Sequence, residues 1–243
     1  MTWYHEWFNE KEYLLLYQHR DEVEANQLIN LIEKEINLKT NSKVLDLCCG
    51  NGRHSILLSK RGYLVTGVDL SDNLLNIAKK NAILNNLDIR FIKSDMREIN
   101  FKNEFDLTLN LFTSFGYFST EEENEKVIKN IYMALKKNGY LVIDFFNKEY
   151  LINNIKPETI THINESTIIQ RRKIIKNKVV KEIIIQKNNT KKFFKEEVVL
   201  YSLNDFEMFF KRNNIILKNV FGDYSGNKFR NDSPRLIIIA SKN

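Results

Sequence analysis

Residues 43–71 read KVLDLCCGNGRHSILLSKRGYLVTGVDLS. The apolar run from Val44 to Cys48 has the length and β-branched or leucine content of a buried strand, and Gly50 and Gly52 follow it as a turn. A short helix closed by Gly62 comes next, then a second strand ending on Asp69. This is one βαβ unit with an acid at each strand: Asp46 in the first, Asp69 at the tip of the second. The turn glycines let the backbone pass close to a ligand, and free amides at the following helix start favour a negative group. An acid at the end of the second strand is placed to accept hydrogen bonds from a ribose diol. A nucleoside-containing ligand is the first expectation.

Around that unit lies a chain of 243 residues, 43% hydrophobic and 28% charged, the composition of a globular protein with a sizeable core. No run of about 18 apolar residues occurs, so no membrane span is expected. The opening MTWYHEWFNEKEY carries acids and lacks a basic start and an apolar middle, which argues against a signal peptide. The two cysteines, Cys48 and Cys49, are adjacent, so neither a disulfide between them nor a metal cluster is expected, and a reducing, cytoplasmic setting fits. Lys+Arg 37 against Asp+Glu 31 gives +6. The lysines are scattered, with Arg171-Arg172-Lys173 and Lys191-Lys192 the densest spots, so a nucleic-acid partner is only weakly supported.

Val44-Leu45-Asp46-Leu47-Cys48-Cys49-Gly50-Asn51-Gly52 with Gly67-Val68-Asp69-Leu70-Ser71 resembles the first two motifs of class I S-adenosylmethionine (SAM) dependent methyltransferases. Cys48 departs from the pattern, which has glycine there. The resemblance implies an α/β, Rossmann-like, doubly wound seven-stranded sheet whose last strand is antiparallel, with SAM as the cofactor. It also implies that Asp46, Cys48, Gly50 and Gly52 surround the cofactor turn, and that Asp69 and Leu70 meet the ribose.

The remaining segments fit that scheme. Ser71 is placed to cap a helix carrying Leu74, Leu75, Ala78 and Ala82. Residues 89–93 read as a third strand finishing on Ser94-Asp95-Met96-Arg97, where the resemblance puts Asp95 on the adenine amino group and Met96 against its ring. The fourth strand spans residues 105–111 and leads through Asn110 into an aromatic loop around Gly116, which should border cofactor and acceptor. Thr120 and Glu123 form a capping box for a helix closed by Gly139, and residues 140–146 are the fifth strand. Residues 166–175, 178–187 and 191–201 then alternate as three antiparallel strands. Ser202 caps a helix through Phe206 and Phe210, and residues 215–221 and 235–240 close the sheet as a hairpin.

The domain reading is therefore a helical lid over residues 1–40, a SAM-binding domain over 41–147 and 202–243, and an antiparallel β insertion over 148–201 on the substrate side. Tyr17 and Arg20 are placed by the resemblance near the methionine carboxylate.

SAM carries an already activated methyl group, so the protein mainly aligns nucleophile, methyl and sulfur, and a general base is needed only for a protonated nucleophile. Tyr117, His54 and Asp144 are the candidate catalytic groups, with His5 and His19 further titratable side chains. The Asp/Asn-Pro-Pro-aromatic motif of amino-directed nucleobase enzymes is replaced by Asn110-Leu111-Phe112-Thr113, and no cysteine outside the glycine loop could serve carbon-five cytosine chemistry. An O or N nucleophile of a small-molecule acceptor is the main expectation. The alternatives are an RNA- or peptide-directed enzyme using the insertion, or a non-catalytic SAM-binding module. A dehydrogenase is disfavoured because Gly50-x-Gly52-x-x-Ser55 lacks a third glycine. An aminopropyltransferase is disfavoured because the fourth strand is followed by no acidic pair.

Overall fold

A computed structural model describes residues 2–18 and 22–243. Arg20 and His19 lie outside the described residues. Three helices open the chain: α1 (Trp3–Trp7), α2 (Lys11–Leu16) and α3 (Glu22–Glu35). The main sheet is then built from β1 (Lys43–Leu47), β2 (Leu64–Asp69), β3 (Arg90–Lys93), β4 (Phe105–Asn110) and β5 (Leu135–Phe146). Their connecting helices are α4 (Arg53–Lys60), α5 (Asp72–Leu84) and α6 (Glu121–Ala134). After β5 come α7 (Lys148–Asn154), the strands β6 (Glu158–Ile163), β7 (Ser166–Ile175), β8 (Lys178–Lys187) and β9 (Thr190–Val199), then α8 (Leu203–Arg212). The final hairpin is β10 (Ile215–Phe221) and β11 (Arg235–Lys242).

The seven strands lie in the order β10-β11-β5-β4-β1-β2-β3, with β11 antiparallel to both neighbours and the other pairs parallel. The order reverses at β1, flanked by β4 and β2, and ligands in such sheets bind beyond the strand ends at that point. The expected caps form: Ser71 Oγ accepts from Leu74 N at 3.1 Å, and Thr120/Glu123 and Ser202/Asp205 close reciprocal capping boxes. Gly139 does not close α6 as expected. It lies within β5, beside Asn138 at φ 61°, and a Cβ there would stand 2.9 Å from Lys136 O. Glycine is required because β5 folds tightly against its own start where the register with β4 shifts.

The second sheet has four strands in the order β6-β7-β8-β9, all antiparallel, rather than three. One face packs Ile168, Ile183 and Ile185 against Trp7 and Leu16 of the N-terminal helices, which hold the sheet beside the strand tips of the main one. Gly116 O accepts from Val199 N at 2.8 Å, tying the loop after β4 to the end of β9.

Candidate functional site

Two adjoining cavities open at the carboxyl ends of β1, β2 and β4. The smaller, about 60 Å³, is lined by Cys48, Gly50, Asp69, Leu70, Asp95 and Met96, together with Tyr4, Phe8 and Tyr13 from the N-terminal helices. The larger, about 350 Å³, lies between the strand tips and the second sheet and adds Tyr17, His54, Arg172, Lys181, Glu196 and Arg235. Cys48, Gly50, Phe8, Tyr13, Ser114 and Tyr117 border both.

Three acids stand at these cavities, Asp69 and Asp95 at the smaller and Asp46 at the larger. Asp69 Oδ2 accepts from Gly50 N at 2.8 Å and Oδ1 from Ser71 N at 2.9 Å, so the carboxylate draws the glycine turn over the tip of β2. Each oxygen keeps a lone pair for a ligand hydroxyl. Asp46, 2% exposed, accepts from Ser55 Oγ at 2.6 Å, and burial, with the Asp69 charge adding to it, raises its pKa to about 6. Asp95 is gripped by Arg97, whose Nη2 donates to Oδ2 at 2.6 Å; burial raises its pKa, but the Arg97 contacts outweigh that and lower it overall. Arg97 in turn lies 4.1 Å over the Phe118 ring and meets Glu123 at 2.5 Å.

The two turn glycines differ. A Cβ on Gly50 (φ +58°) would meet nothing within 4 Å, so its backbone faces open space. A Cβ on Gly52 (φ +82°) would stand 2.9 Å from Ala78 Cβ, so this glycine seats α4 on α5 and does not border either cavity. Cys48 takes φ 66°, the left-handed region that glycine would occupy without strain. Its sulfur lies 3.6 Å from Met96 Sδ, and burial, with Asp69, Asp46 and Asp95 nearby, raises its pKa well above the ordinary thiol value.

The loop after β4 is held from three sides. Asn110 is fully buried and borders neither cavity; its Nδ2 donates to Ser114 O at 3.2 Å and Leu47 O at 3.4 Å. Asn110 therefore shapes the loop from behind. Phe112 (φ 56°) and Thr113 (φ 63°) are consecutive left-handed residues, a strained conformation of the kind that persists where surrounding structure over-determines it. That structure is Asp144, whose Oδ2 accepts from Phe112 N at 3.0 Å and whose carbonyl accepts from Thr113 N at 2.8 Å.

The three catalytic candidates fare differently. Asp144 is fully buried, accepts from Arg235 Nε at 2.8 Å and from Tyr224 Oη at 2.9 Å, and borders neither cavity. All its acceptor capacity is used structurally, so it is withdrawn as a base; it orients Arg235, which does face the larger cavity. Tyr117 sits where the cavities meet, and burial holds its hydroxyl well above the usual phenol pKa. His54 borders the larger cavity with its ring 5.0 Å from that of Phe112.

Tyr17 faces the larger cavity, with its hydroxyl donating to Glu196 at 2.7 Å. Trp7 Nε1 donates to the same carboxylate at 2.6 Å, and Lys181 Nζ pairs with it at 2.5 Å. Burial raises the pKa of Glu196, but Lys181, Tyr17 and Trp7 outweigh that and lower it overall. Sequence reading missed Glu196, Lys181, Arg172 and Arg235. The basic cluster at Arg171–Lys173 was the one signal present, and it does not say which of its side chains turns inward.

Residues 44–139, the part that carries β1 to β4 and the glycine turn, match the family model described as a methyltransferase domain. This stretch is a class I, SAM-dependent methyltransferase domain. A protein of Geobacillus sp. (strain WCH70) named for a methyltransferase is 34% identical over 126 residues, covering 52% of this chain and 51% of its own length. The chain thus spans about half the length of that relative. A SAM-dependent methyltransferase from Clostridium acetobutylicum ATCC 824 superposes with TM-score 0.82 at 21% identity, covering 95% of each chain. An amino pentose methyltransferase from Micromonospora echinaspora, solved with SAM bound, gives TM-score 0.72 at 17% identity over 96% of this chain and 98% of its own. At such identities the likeness speaks for the fold.

SAM is the cofactor of such a domain, and the residues around the smaller cavity fit it. Gly50 leaves room for close approach, and Asp69 retains acceptor capacity for a ligand hydroxyl. Among the described residues no helix is long and apolar enough to cross a membrane.

Proposed function

We propose that the protein transfers a methyl group from SAM to an O or N nucleophile of a small-molecule acceptor held between the main sheet's strand tips and the second sheet. The observation that carries this reading is the pair of adjoining cavities, one lined by Gly50, Asp69 and Asp95 of the methyltransferase domain and the other, about 350 Å³, reaching the second sheet. That volume falls in the range of small-ligand sites, about 300–1,000 Å³.

Bound SAM would supply the activated methyl; the chain supplies alignment and exclusion of water. Asp69 and Asp95 are assigned to the ribose and the adenine amino group, and Met96 and Leu70 to the ring and ribose faces. Tyr117, at the junction, is assigned to steering the nucleophile by a hydrogen bond from its protonated hydroxyl, and His54, on the border of the larger cavity, is the candidate proton acceptor. Tyr17 is assigned to the acceptor side because its hydroxyl is committed to Glu196.

The smaller cavity, at about 60 Å³, is too small for a nucleoside with Tyr4, Phe8 and Tyr13 lining it as they do. Residues 1–40 are accordingly read as a lid. Trp3 meets the Tyr117 ring edge to face and Phe8 meets it at a tilt, at centroid distances of 5.2 and 5.7 Å, and Ser71 Oγ donates to Phe8 O at 2.8 Å, so closure would couple lid, cofactor and acceptor loop. Residues 148–201 form the acceptor wall, and the free Cys48 and Cys49 suit a reducing, cytoplasmic compartment.

Calorimetric titration with SAM, followed by a methyl-transfer screen of metabolite fractions and of RNA, tests the reading. Micromolar SAM binding with methylation of a small-molecule fraction is expected. Absence of SAM binding, or methylation confined to RNA, overturns it.

A further inference from the structure

The second sheet presents a row of three charged residues to the larger cavity. Register sets Arg172 of β7 directly opposite Lys181 of β8, and Lys181 directly opposite Glu196 of β9. Directly paired residues on neighbouring strands project from the same face, so the three side chains line up across the sheet, and all three border the cavity. Two cations and one anion leave the row with one uncompensated positive charge.

The imbalance falls on Arg172. Glu196 is spoken for by Lys181 at 2.5 Å, Tyr17 at 2.7 Å and Trp7 at 2.6 Å. Arg172 is half-buried, and among the described residues it meets only neutral partners: Nη1 donates to Thr159 Oγ1 at 3.0 Å and Nη2 to Gln170 Oε1 at 2.7 Å. These two bonds fix the plane of the guanidinium and use two of its five N–H groups, leaving three. A like charge directly across the strand pair is unfavourable, and a partly desolvated guanidinium without a carboxylate is more so. Burial indeed lowers the Arg172 pKa, against the opposing influence of Tyr17 and Glu196. Such an arrangement is relieved by an oxyanion in the cavity, which the planar fork can take in two-pronged fashion.

We infer that Arg172 is the anchor for an oxyanion on the methyl acceptor, so the acceptor class is a small molecule bearing a carboxylate or a phosphate group. The inference rests on the methyl-transfer reading for the word acceptor, and on the Arg172 row alone for the anion. Thr159 and Gln170 are positioning residues that hold the fork. Lys181, in the middle of the row and neutralised by Glu196, adds no second anion site. The nucleophile would lie toward Tyr117 and His54, which border the same cavity.

The test uses the full chain loaded with SAM and titrated with malonate and with inorganic phosphate, beside Arg172→Gln and Arg172→Lys. Wild type should bind at least one of the two anions, and the stronger of the two names the group. Arg172→Gln, which can keep hydrogen bonds to Thr159 or Gln170, should weaken that binding at least tenfold while SAM affinity changes less than twofold. Should Arg172→Gln not fold, Arg172→Lys, which keeps the charge and loses the fork, should weaken it several-fold. SAM binding by wild type with neither anion bound, or anion binding unchanged in the folded variant, overturns the anion site and leaves methyl transfer standing. Failure of wild type to bind SAM overturns the methyl-transfer reading instead.

Discussion

The two halves of the site are built in opposite ways. On the cofactor side, the turn and the strand-tip acids Asp46 and Asp69 come from one continuous stretch, and Asp69 bonds Gly50 N and Ser71 N within that stretch. On the acceptor side, Trp7, Tyr17, Arg172, Lys181, Glu196 and Arg235 come from the N-terminal helices, three strands of the second sheet and the last strand of the first. One half is organised by backbone amides meeting carboxylates; the other by side chains meeting side chains across long sequence separations. A continuous half should tolerate the loss of a single contact, whereas an assembled half depends on its junctions. Substitutions can separate these behaviours.

The largest effect is expected at the junction residue Glu196. Glu196→Ala removes the carboxylate that pairs with the half-buried Lys181, and it takes away the acceptor of the Trp7 and Tyr17 donors. Breaking a buried pair in this way costs about 3–5 kcal/mol. A fall in Tm of about 10 °C is expected by calorimetry, with the N-terminal helices becoming susceptible to proteolysis first. An unchanged Tm would show that the hydrophobic packing of Trp7 and Leu16 holds the second sheet unaided.

This contrast also decides what could be read from the sequence. Strands, caps and the strand-tip acids are local signals: an apolar run, a Ser or Thr three residues before an acid, a glycine after a strand. Gly52 could be recognised as a turn residue, but its contact with Ala78 could not, because that depends on how α4 meets α5. Glu158–Ile163 escaped detection because an edge strand with one polar face carries little apolar periodicity. Asp144 resembled Asp46 and Asp69 as a strand-end acid; what removes it from the chemistry is Arg235, 91 residues later. Arg172 and Glu196 looked like any charged residue on an alternating strand, since their inward face exists only once β7, β8 and β9 are in register beneath the N-terminal helices.

Asp46→Asn probes the cofactor half through pH. The folded pKa of Asp46 is raised to about 6 from 3.8, so between these values the native state holds a proton that the unfolded chain releases. Stability from this group is therefore greatest below about pH 4 and is lost as pH rises through about 6. Two pH units at 1.36 kcal/mol each correspond to about 3 kcal/mol. Asn can still accept from the Ser55 hydroxyl without ionising. Denaturant melts should find Asp46→Asn more stable than wild type at pH 8 by about 2–3 kcal/mol, with the difference closing by pH 4. A difference independent of pH would mean that Asp46 is protonated, or solvated, throughout.

Asp69→Ala should reduce SAM affinity by about 1–3 kcal/mol, the penalty for leaving ligand hydroxyls unpaired. The structure adds that Gly50 N and Ser71 N also lose their acceptor, so a lower Tm is expected along with weaker binding. Calorimetric titration of the folded variant separates the two effects. Full SAM affinity with a lowered Tm would reduce Asp69 to a turn-building residue.

The smallest effect is expected at Cys48, on the border of both cavities. Its left-handed backbone, φ 66°, strains a side-chain-bearing residue by about 1–2 kcal/mol, which glycine would not incur. Glycine also loosens the unfolded chain by about 0.5–1 kcal/mol and gives up the sulfur contact with Met96 at 3.6 Å. These oppose each other and leave Cys48→Gly more stable by at most about 1 kcal/mol, a rise in Tm of about 2–4 °C. SAM affinity should stay within twofold, because the turn is shaped by Asp69 and the glycine backbone, not by the thiol. A drop of several degrees would reverse that ordering: the thiol packed between Met96 and the Ser114 carbonyl would then be holding the cofactor turn to the acceptor loop, and the continuous half would depend on a junction of its own.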